Sequence, residues 1–305
     1  MVSVVACGND AKPIAEEETV TLDEPLQENT KVDIEETVEE QVVEQTELVE
    51  AVNPEVTVVE ETKIEKETPK VTNEEQAPAV KEEIKVKIVR AEHSAWNDLL
   101  IKYVSASGKV NYKGMKADIS KIKTYLKQLE NTPPKSDWSK NEKLAYWINL
   151  YNASTVYLIA SNYPTKSITN LSGGKPWDKK FIKSGTKTYS LNDIEHNIVR
   201  PTFKDPRVHA ALNCAAKSCP KLLNGAFLPH KLNAQLDKQT RAWINDKTKN
   251  QLNGNKAQVS QLFDWYKDDF KGGVVPFINK YISTSVALSP NAKITYLEYD
   301  WALNE

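Results

Sequence analysis

The chain has 305 residues and a formal charge of −2, from 40 Lys plus Arg against 42 Asp plus Glu. That near-neutral total hides two unlike parts. No run is long and apolar enough to span a bilayer as a helix, and about 220 residues of ordinary composition suit one domain with a sizeable core.

The N-terminal part comes first. Val4-Val5-Ala6-Cys7 resembles a bacterial lipobox, in which the cysteine is lipidated and becomes the first mature residue. Only five residues lie between Met1 and Cys7, and none is basic. A signal peptide needs a basic start and an apolar run of about 7–15 residues. Cys7 is thus a lipidation candidate if the true start lies upstream, with residues 1–8 as a signal remnant, and otherwise a cysteine without this role. Residues 16–85 hold 23 acidic and 6 basic residues, a net of −17. There is no glycine from Asn9 to Ser107 and no aromatic residue before Trp96. Such a segment has little to bury and repels itself, so residues 9–85 are expected to be a disordered tether. A coiled coil is the rival, but apolar heptads are not sustained and prolines interrupt at 25, 54, 69 and 78.

Residues 86–305 are expected to be a single α+β domain with a central apolar helix and a small sheet. This part carries a net charge near +15, from 33 basic and 18 acidic residues. Anionic polymers are possible partners for such a surface. The excess is mostly Lys spread along helices, which points to solvated surface, and no specific nucleic acid is expected. HSAWNDLLIKYVS (93–105) has helical spacing and is ended by Gly108. KADISKIKTYLKQLE (116–130) places Ile119, Ile122, Leu126 and Leu129 on one face and stops at Pro133-Pro134. Residues 139–164 form the longest and most apolar helical pattern, opened by a Ser139/Glu142 capping box. Its face carries Asn149 and Asn152, whose amides must find partners. They tie down loops, or one orients an imidazole or binds a substrate carbonyl.

Residues 181–200 predict a hairpin around Ser184-Gly185, then a helix capped by Ser190 or Asn192. That helix holds Glu195 and His196, with Arg200 one turn on, near Pro201. An imidazole between a carboxylate and a guanidinium suits acid–base work and equally a structural network. DPRVHAALNCAAKSCPKL (205–222) holds the densest chemistry: His209, Cys214 and Cys219. RVHAAL reads as a strand, with Val208, Ala210 and Leu212 on one face and His209, Ala211 and Asn213 on the other. Cys214 then lies at the strand's end and Lys-Ser-Cys-Pro forms a turn. Three outcomes stay open for the cysteines: a Cys214–Cys219 disulfide, a free Cys214 nucleophile, or two inert thiols. With no C-x-x-C motif, four zinc ligands are hard to assemble, and neither metal nor cofactor is expected. Residues 231–246 are an amphipathic helix, 260–270 an aromatic helix with Asp268 and Asp269 near its end, GGVVPFINKYIS a short helix and KITYLEYDWALN a closing strand and tail.

The blocks HSAWNDLLIKYV, GKVNY, EKLAYWINLYNAST, YPTKSI, SLNDIEHNIVR, DPRVHAALNCAAKSCPKL, LFDWYKDDF and YDWALN resemble domain of unknown function family 547. They cover about residues 92–304 in family order. One departure is Ala210, where an aromatic is common in the family. The resemblance implies a mixed α/β domain, often exported in bacteria, with no established activity.

Two readings of function follow. In the first, an exported domain, tethered to a membrane of the bacterial cell envelope by its N-terminal lipid, binds or processes a peptide-like or envelope ligand by thiol chemistry. Cys214 is then the nucleophile, His209 or His196 the base and Glu195 or Asn152 the orienter. Asn149, Asn152, Arg200, Lys217 and Ser218 are the substrate-binding candidates. That reading needs His209, Cys214, His196 and Glu195 to converge in one cleft. In the second, the same cysteines and histidines are the scaffold of a non-catalytic binding module. A cytoplasmic location is the alternative to the envelope, and a scaffold for anionic polymers is a third reading of the basic surface.

Overall fold

The computed structural model describes residues 89–283 and 287–305. All lie within the second of the chain's two compact units, Val80–Glu305. Cys7, the signal remnant and the acidic tether lie outside the described residues.

The fold is built round one helix. α1 (Ser94–Tyr103), α2 (Tyr112–Ala117) and α3 (Ile119–Asn131) precede α4 (Lys140–Asn162). From Leu144 to Ala160, α4 buries residues on every side, including Tyr146, Ile148, Leu150, Tyr151, Val156 and Ile159. A helix apolar all round has to be enclosed. Its start is the capping box read from sequence: Glu142 N donates to Ser139 Oγ at 3.2 Å, and Ser139 N to Glu142 Oε2 at 2.6 Å. α3 packs on α4 through buried Ile122 and Leu129, with Ile119 and Leu126 half-buried beside them.

A hairpin of β1 (Ile182–Ser184) and β2 (Lys187–Tyr189) follows, antiparallel, with Ser184 opposite Lys187. Gly185 sits in its turn at φ +59°, a conformation that favours glycine. Gly185 N donates to Glu130 O at 2.8 Å, and Ser184 Oγ meets Tyr146 OH at 2.7 Å, so the hairpin is pinned to α3 and α4.

The next helix is wider than an α-helix. Ser190 caps it, accepting from Asp193 N at 3.0 Å. Residues Asp193–Val199 are π-helical and run directly into α5 (Arg200–Phe203). The helix therefore does not stop at Arg200-Pro201. Arg200 N bonds five residues back to Glu195 O, and proline, which has no N–H to place, is tolerated at the junction between the two helical forms. Lys204 ends the helix at φ 52°, its N–H on Arg200 O at 3.1 Å.

RVHAAL is not a strand. Pro206–Ala210 is a 3-10 turn, because Asp205 Oδ1 caps Arg207 N at 3.0 Å and Pro206 presets the first helical φ. The turn bridges two apolar clusters. Val208 packs in the main core around α4, Ala210 in a second one with Trp243, Phe263, Ile278 and Tyr281. That second cluster is assembled from α6 (Leu232–Ile244), α7 (Leu262–Trp265), α8 (Val274–Tyr281) and a three-stranded sheet. The aromatic segment 260–270 is broken: after α7 comes a 3-10 turn, Lys267–Asp269. In the sheet, β3 (Gln251–Asn253) pairs antiparallel with β4 (Lys256–Val259), and β4 pairs parallel with β5 (Lys293–Tyr296). Among the described residues no helix is long and apolar enough to cross a membrane.

Candidate functional site

Four polar side chains meet where the π-helical segment, the 3-10 turn and the Lys267–Asp269 turn come together. Asp269 is the hub. Its Oδ2 accepts from Arg200 Nε at 2.6 Å and from His209 Nε2 at 2.8 Å, and its Oδ1 from Arg200 NH2 at 3.2 Å. Burial pushes the Asp269 carboxyl up, but the bonds from His209 and Arg200 outweigh it and hold the group well below the usual carboxylate range. Arg200 NH1 lies 2.6 Å from His196 Nδ1. A guanidinium only donates, so Nδ1 is the acceptor and the imidazole is neutral with its proton on Nε2. Burial holds His196 below the ordinary imidazole range, and the Arg200 and His209 charges act in the same direction against Glu195 and Asp269. Tyr266 floors the cluster: its ring stacks on His209 at 4.2 Å, lies 6.1 Å from the His196 ring and carries the Arg200 guanidinium at 4.8 Å.

This cluster forms one wall of a cleft of about 450 Å³ lined by His196, Arg200, Lys204, Asp205, Asp268 and Lys271, among others. Asp205 is taken by Arg207 and Asp269 by Arg200. Lys204, Lys271 and Asp268 make no ion pair among the described residues. The His196 Nε2–H and the outward N–H groups of Arg200 remain as donors. The cleft therefore offers fixed donors beside the two lysines that form no ion pair; its three cations, Arg200, Lys204 and Lys271, are matched in number by Asp205, Asp268 and Asp269, so it is the aimed N–H groups and not a net charge that suit a carboxylate.

The other predicted site residues fall elsewhere. His209 is 3% exposed, and its Nε2 is spent on Asp269 Oδ2 at 2.8 Å rather than turned to the cleft. Glu195 is buried and accepts from Tyr151 OH at 3.1 Å, beneath the helix that shows His196 to the cleft. Asn149 and Asn152 are buried and bonded to main chain. Asn149 donates to Phe227 O at 2.8 Å and accepts from Phe227 N at 3.0 Å. Asn152 donates to Ala211 O and accepts from Asn213 N, both at 2.9 Å. Each amide spends itself on a loop's main chain.

Cys214 and Cys219 are joined as a disulfide, their Cα atoms 6.4 Å apart. Both sulfurs lie against Tyr299 OH, at 3.2 and 3.1 Å. No imidazole bonds to Cys214, so the Cys–His pair required of a thiol nucleophile is not assembled here. Asn213 staples the loop, with Nδ2 on Pro220 O at 2.8 Å and Oδ1 accepting from Ala215 N at 2.9 Å. Lys217 N donates to Ala302 O at 2.7 Å, and Ser218 Oγ accepts from Asp300 N at 2.8 Å. Lys217 and Ser218 thus hold the C-terminal segment, although both border a second cleft, of about 620 Å³, beside Cys219, Lys249 and Tyr299. Among the described residues no group of three or more His, Cys, Asp or Glu is placed to hold a metal ion.

Asp269, Tyr266, Lys204 and Lys271 were not among the sequence candidates. The Asp268-Asp269 pair behind an aromatic run was visible, but its partners lie about 60 residues upstream. The family model described as "Protein of unknown function, DUF547" matches residues 135–244, so this stretch of the chain is similar to that family. It spans α4, the hairpin, the π-helical segment, the disulfide loop and α6; Tyr266, Asp269 and Tyr299 lie beyond it. No curated protein and no solved structure matches the chain.

Proposed function

We propose that this is a non-catalytic binding module, exported and held at a bacterial membrane through Cys7, that takes a peptide-like or envelope ligand by a carboxylate in the His196–Arg200–Lys204 cleft. One observation carries the reading. Arg200 is clamped by Asp269 on one side and donates to His196 on the other, which presents rigid donors to a cleft with two uncommitted lysines. A π-helical turn and a left-handed lysine flank it, and such local departures from regular backbone recur at functional sites. The disulfide and the buried His209 favour this over thiol chemistry, because each is committed to scaffold contacts.

The probe is N-acetyl-dialanine, in its L,L and D,D forms, each as the free acid and as the C-terminal amide. The acid binds saturably, the amide at least tenfold more weakly, and Lys204→Ala lowers acid affinity about tenfold. Equal binding of acid and amide, or none, refutes the reading. The anchor has its own check. Mass spectrometry of the native N-terminus finds a lipid-modified Cys7; an unmodified Met1 in a soluble fraction removes the tether.

A further inference from the structure

The Cys214–Cys219 bridge closes a loop that other bonds already hold. Asn213 ties the loop's two ends, with Nδ2 on Pro220 O at 2.8 Å and Oδ1 accepting from Ala215 N at 2.9 Å. Between them, Ala215 O accepts Asn304 N at 3.1 Å, Lys217 N donates to Ala302 O at 2.7 Å and Ser218 N to Asp300 O at 3.2 Å. Cys219 N returns to Ala216 O at 3.1 Å. A bridge between residues only five apart removes little entropy from the unfolded chain. Breaking the S–S bond therefore leaves the loop its own ties.

The two sulfurs are not equivalent. Cys214 is half-buried and Cys219 is buried. Cys219 Sγ accepts the Cys214 N–H at 3.1 Å and lies 3.1 Å from Tyr299 OH. Cys214 Sγ has Tyr299 OH alone, at 3.2 Å. Two donors aimed at one sulfur favour negative charge there. Thiol–disulfide exchange proceeds fastest when one sulfur can be reached and the other departs easily as a thiolate. Cys214 is the more exposed of the pair, and Cys219 is the better leaving group.

We propose that Cys214–Cys219 is an exchange site that takes two electrons from a small dithiol. One thiolate of the dithiol attacks Cys214 Sγ. A new S–S bond forms there as the Cys214–Cys219 bond breaks, and the electron pair leaves on Cys219 Sγ, held by the Cys214 N–H and Tyr299 OH. The dithiol's second sulfur, deprotonated to solvent, then attacks the first and displaces Cys214. The dithiol ends as a cyclic disulfide, and two protons finish on Cys214 and Cys219. The protein is reduced by two electrons and stays folded. This exchange uses no residue of the His196 cleft and goes beyond the binding reading.

The experiment starts from oxidised full-length protein. It is incubated with dithiothreitol at neutral pH, in buffer and in urea below the unfolding transition, then quenched by alkylation. Mass mapping by peptide counts Cys7 apart and separates Cys214 from Cys219, since Lys217 lies between them. Reduction is expected to be nearly independent of urea and about a hundredfold faster than unfolding in the same buffer, because the native loop is attacked directly. With glutathione in place of dithiothreitol, the trapped mixed disulfide is on Cys214. Tyr299→Phe slows reduction about tenfold, the loss of one hydrogen bond to a charged sulfur, and leaves the adduct on Cys214. Reduction no faster than unfolding, an adduct on Cys219, or a wild-type rate in Tyr299→Phe overturns the proposal.

Discussion

Replacing Asp269 with Asn tests whether one carboxylate holds the candidate site together. The side chain accepts three charged or ring N–H donors at 2.6, 2.8 and 3.2 Å. Hydrogen bonds to charged groups contribute about 1.5–3 kcal/mol each, but three on one carboxylate are not additive. Asp269 and Arg200 keep 26% and 22% of their side-chain exposure, so solvent screens part of the loss, and the value of 3–5 kcal/mol for a fully buried pair is too high. His209 is buried, and its unpaired Nε2–H adds its own cost. About 3 kcal/mol is expected in urea unfolding, or about 6–12 °C in Tm for a domain of this size. The cycle with Arg200→Met should give a coupling of at least about 1 kcal/mol. Acid has the same effect as the mutation. A carboxyl depressed in the folded state stabilises above its unfolded pKa of about 3.9, and that stabilisation is lost as pH falls towards the folded value. A variant within about 0.5 kcal/mol of wild type, with no coupling to Arg200, refutes the reasoning.

Burial pushes the imidazole of His93 down to about 4, and Tyr125 OH lies 2.7 Å from its Nδ1. The unfolded chain therefore takes up a proton from about pH 6.5 downward while the folded one stays neutral, so stability falls by about 3 kcal/mol between pH 6.5 and 4; urea titrations of wild type and His93→Asn should differ by that slope. Asn152→Ala leaves Ala211 O and Asn213 N without a partner in a buried place, and should cost about 2–3 kcal/mol, with little change in Cys214–Cys219 pairing. Alkylation without reductant, read by mass, should leave Cys214 and Cys219 unmodified in the wild type. In Cys219→Ser it should label one thiol, at a stability cost of about 2 kcal/mol or less, given a five-residue separation.

What could be read from the sequence was local. α4 announced itself by apolar residues on every face and by Ser139 and Glu142 three residues apart. Gly185 marked the first hairpin through its conformational freedom. The second hairpin escaped because β3 and β4 bury only Ala257 and Val259, too little alternation to show. Arg-Val-His-Ala-Ala-Leu has the composition of a strand, but Asp205-Pro206 ahead of it dictated a helical turn. His196 and Arg200 were found together because four residues separate them. Asp269 was not assigned to them, since nothing within one segment reveals a partner from another. The two asparagines of α4 had two readings, and only the main chain of loops 59 and 78 residues away decided between them.

The segment after β5 joins distant parts of the chain. Ala302, Leu303 and Asn304 pair with residues 215–217, and Asn304 also holds Val110 N at 2.9 Å and Tyr112 OH at 2.7 Å, the latter across 192 residues. Contacts of such separation cost loop entropy before they return any stability, and they slow folding. α1 to α4 can assemble from neighbours in sequence, whereas the disulfide loop has no β-partner until the other end of the domain has been made and has returned to it. Until then Cys214 and Cys219 lack the covering Tyr299, so the order of the two events, oxidation and closure, becomes a property of the folding pathway.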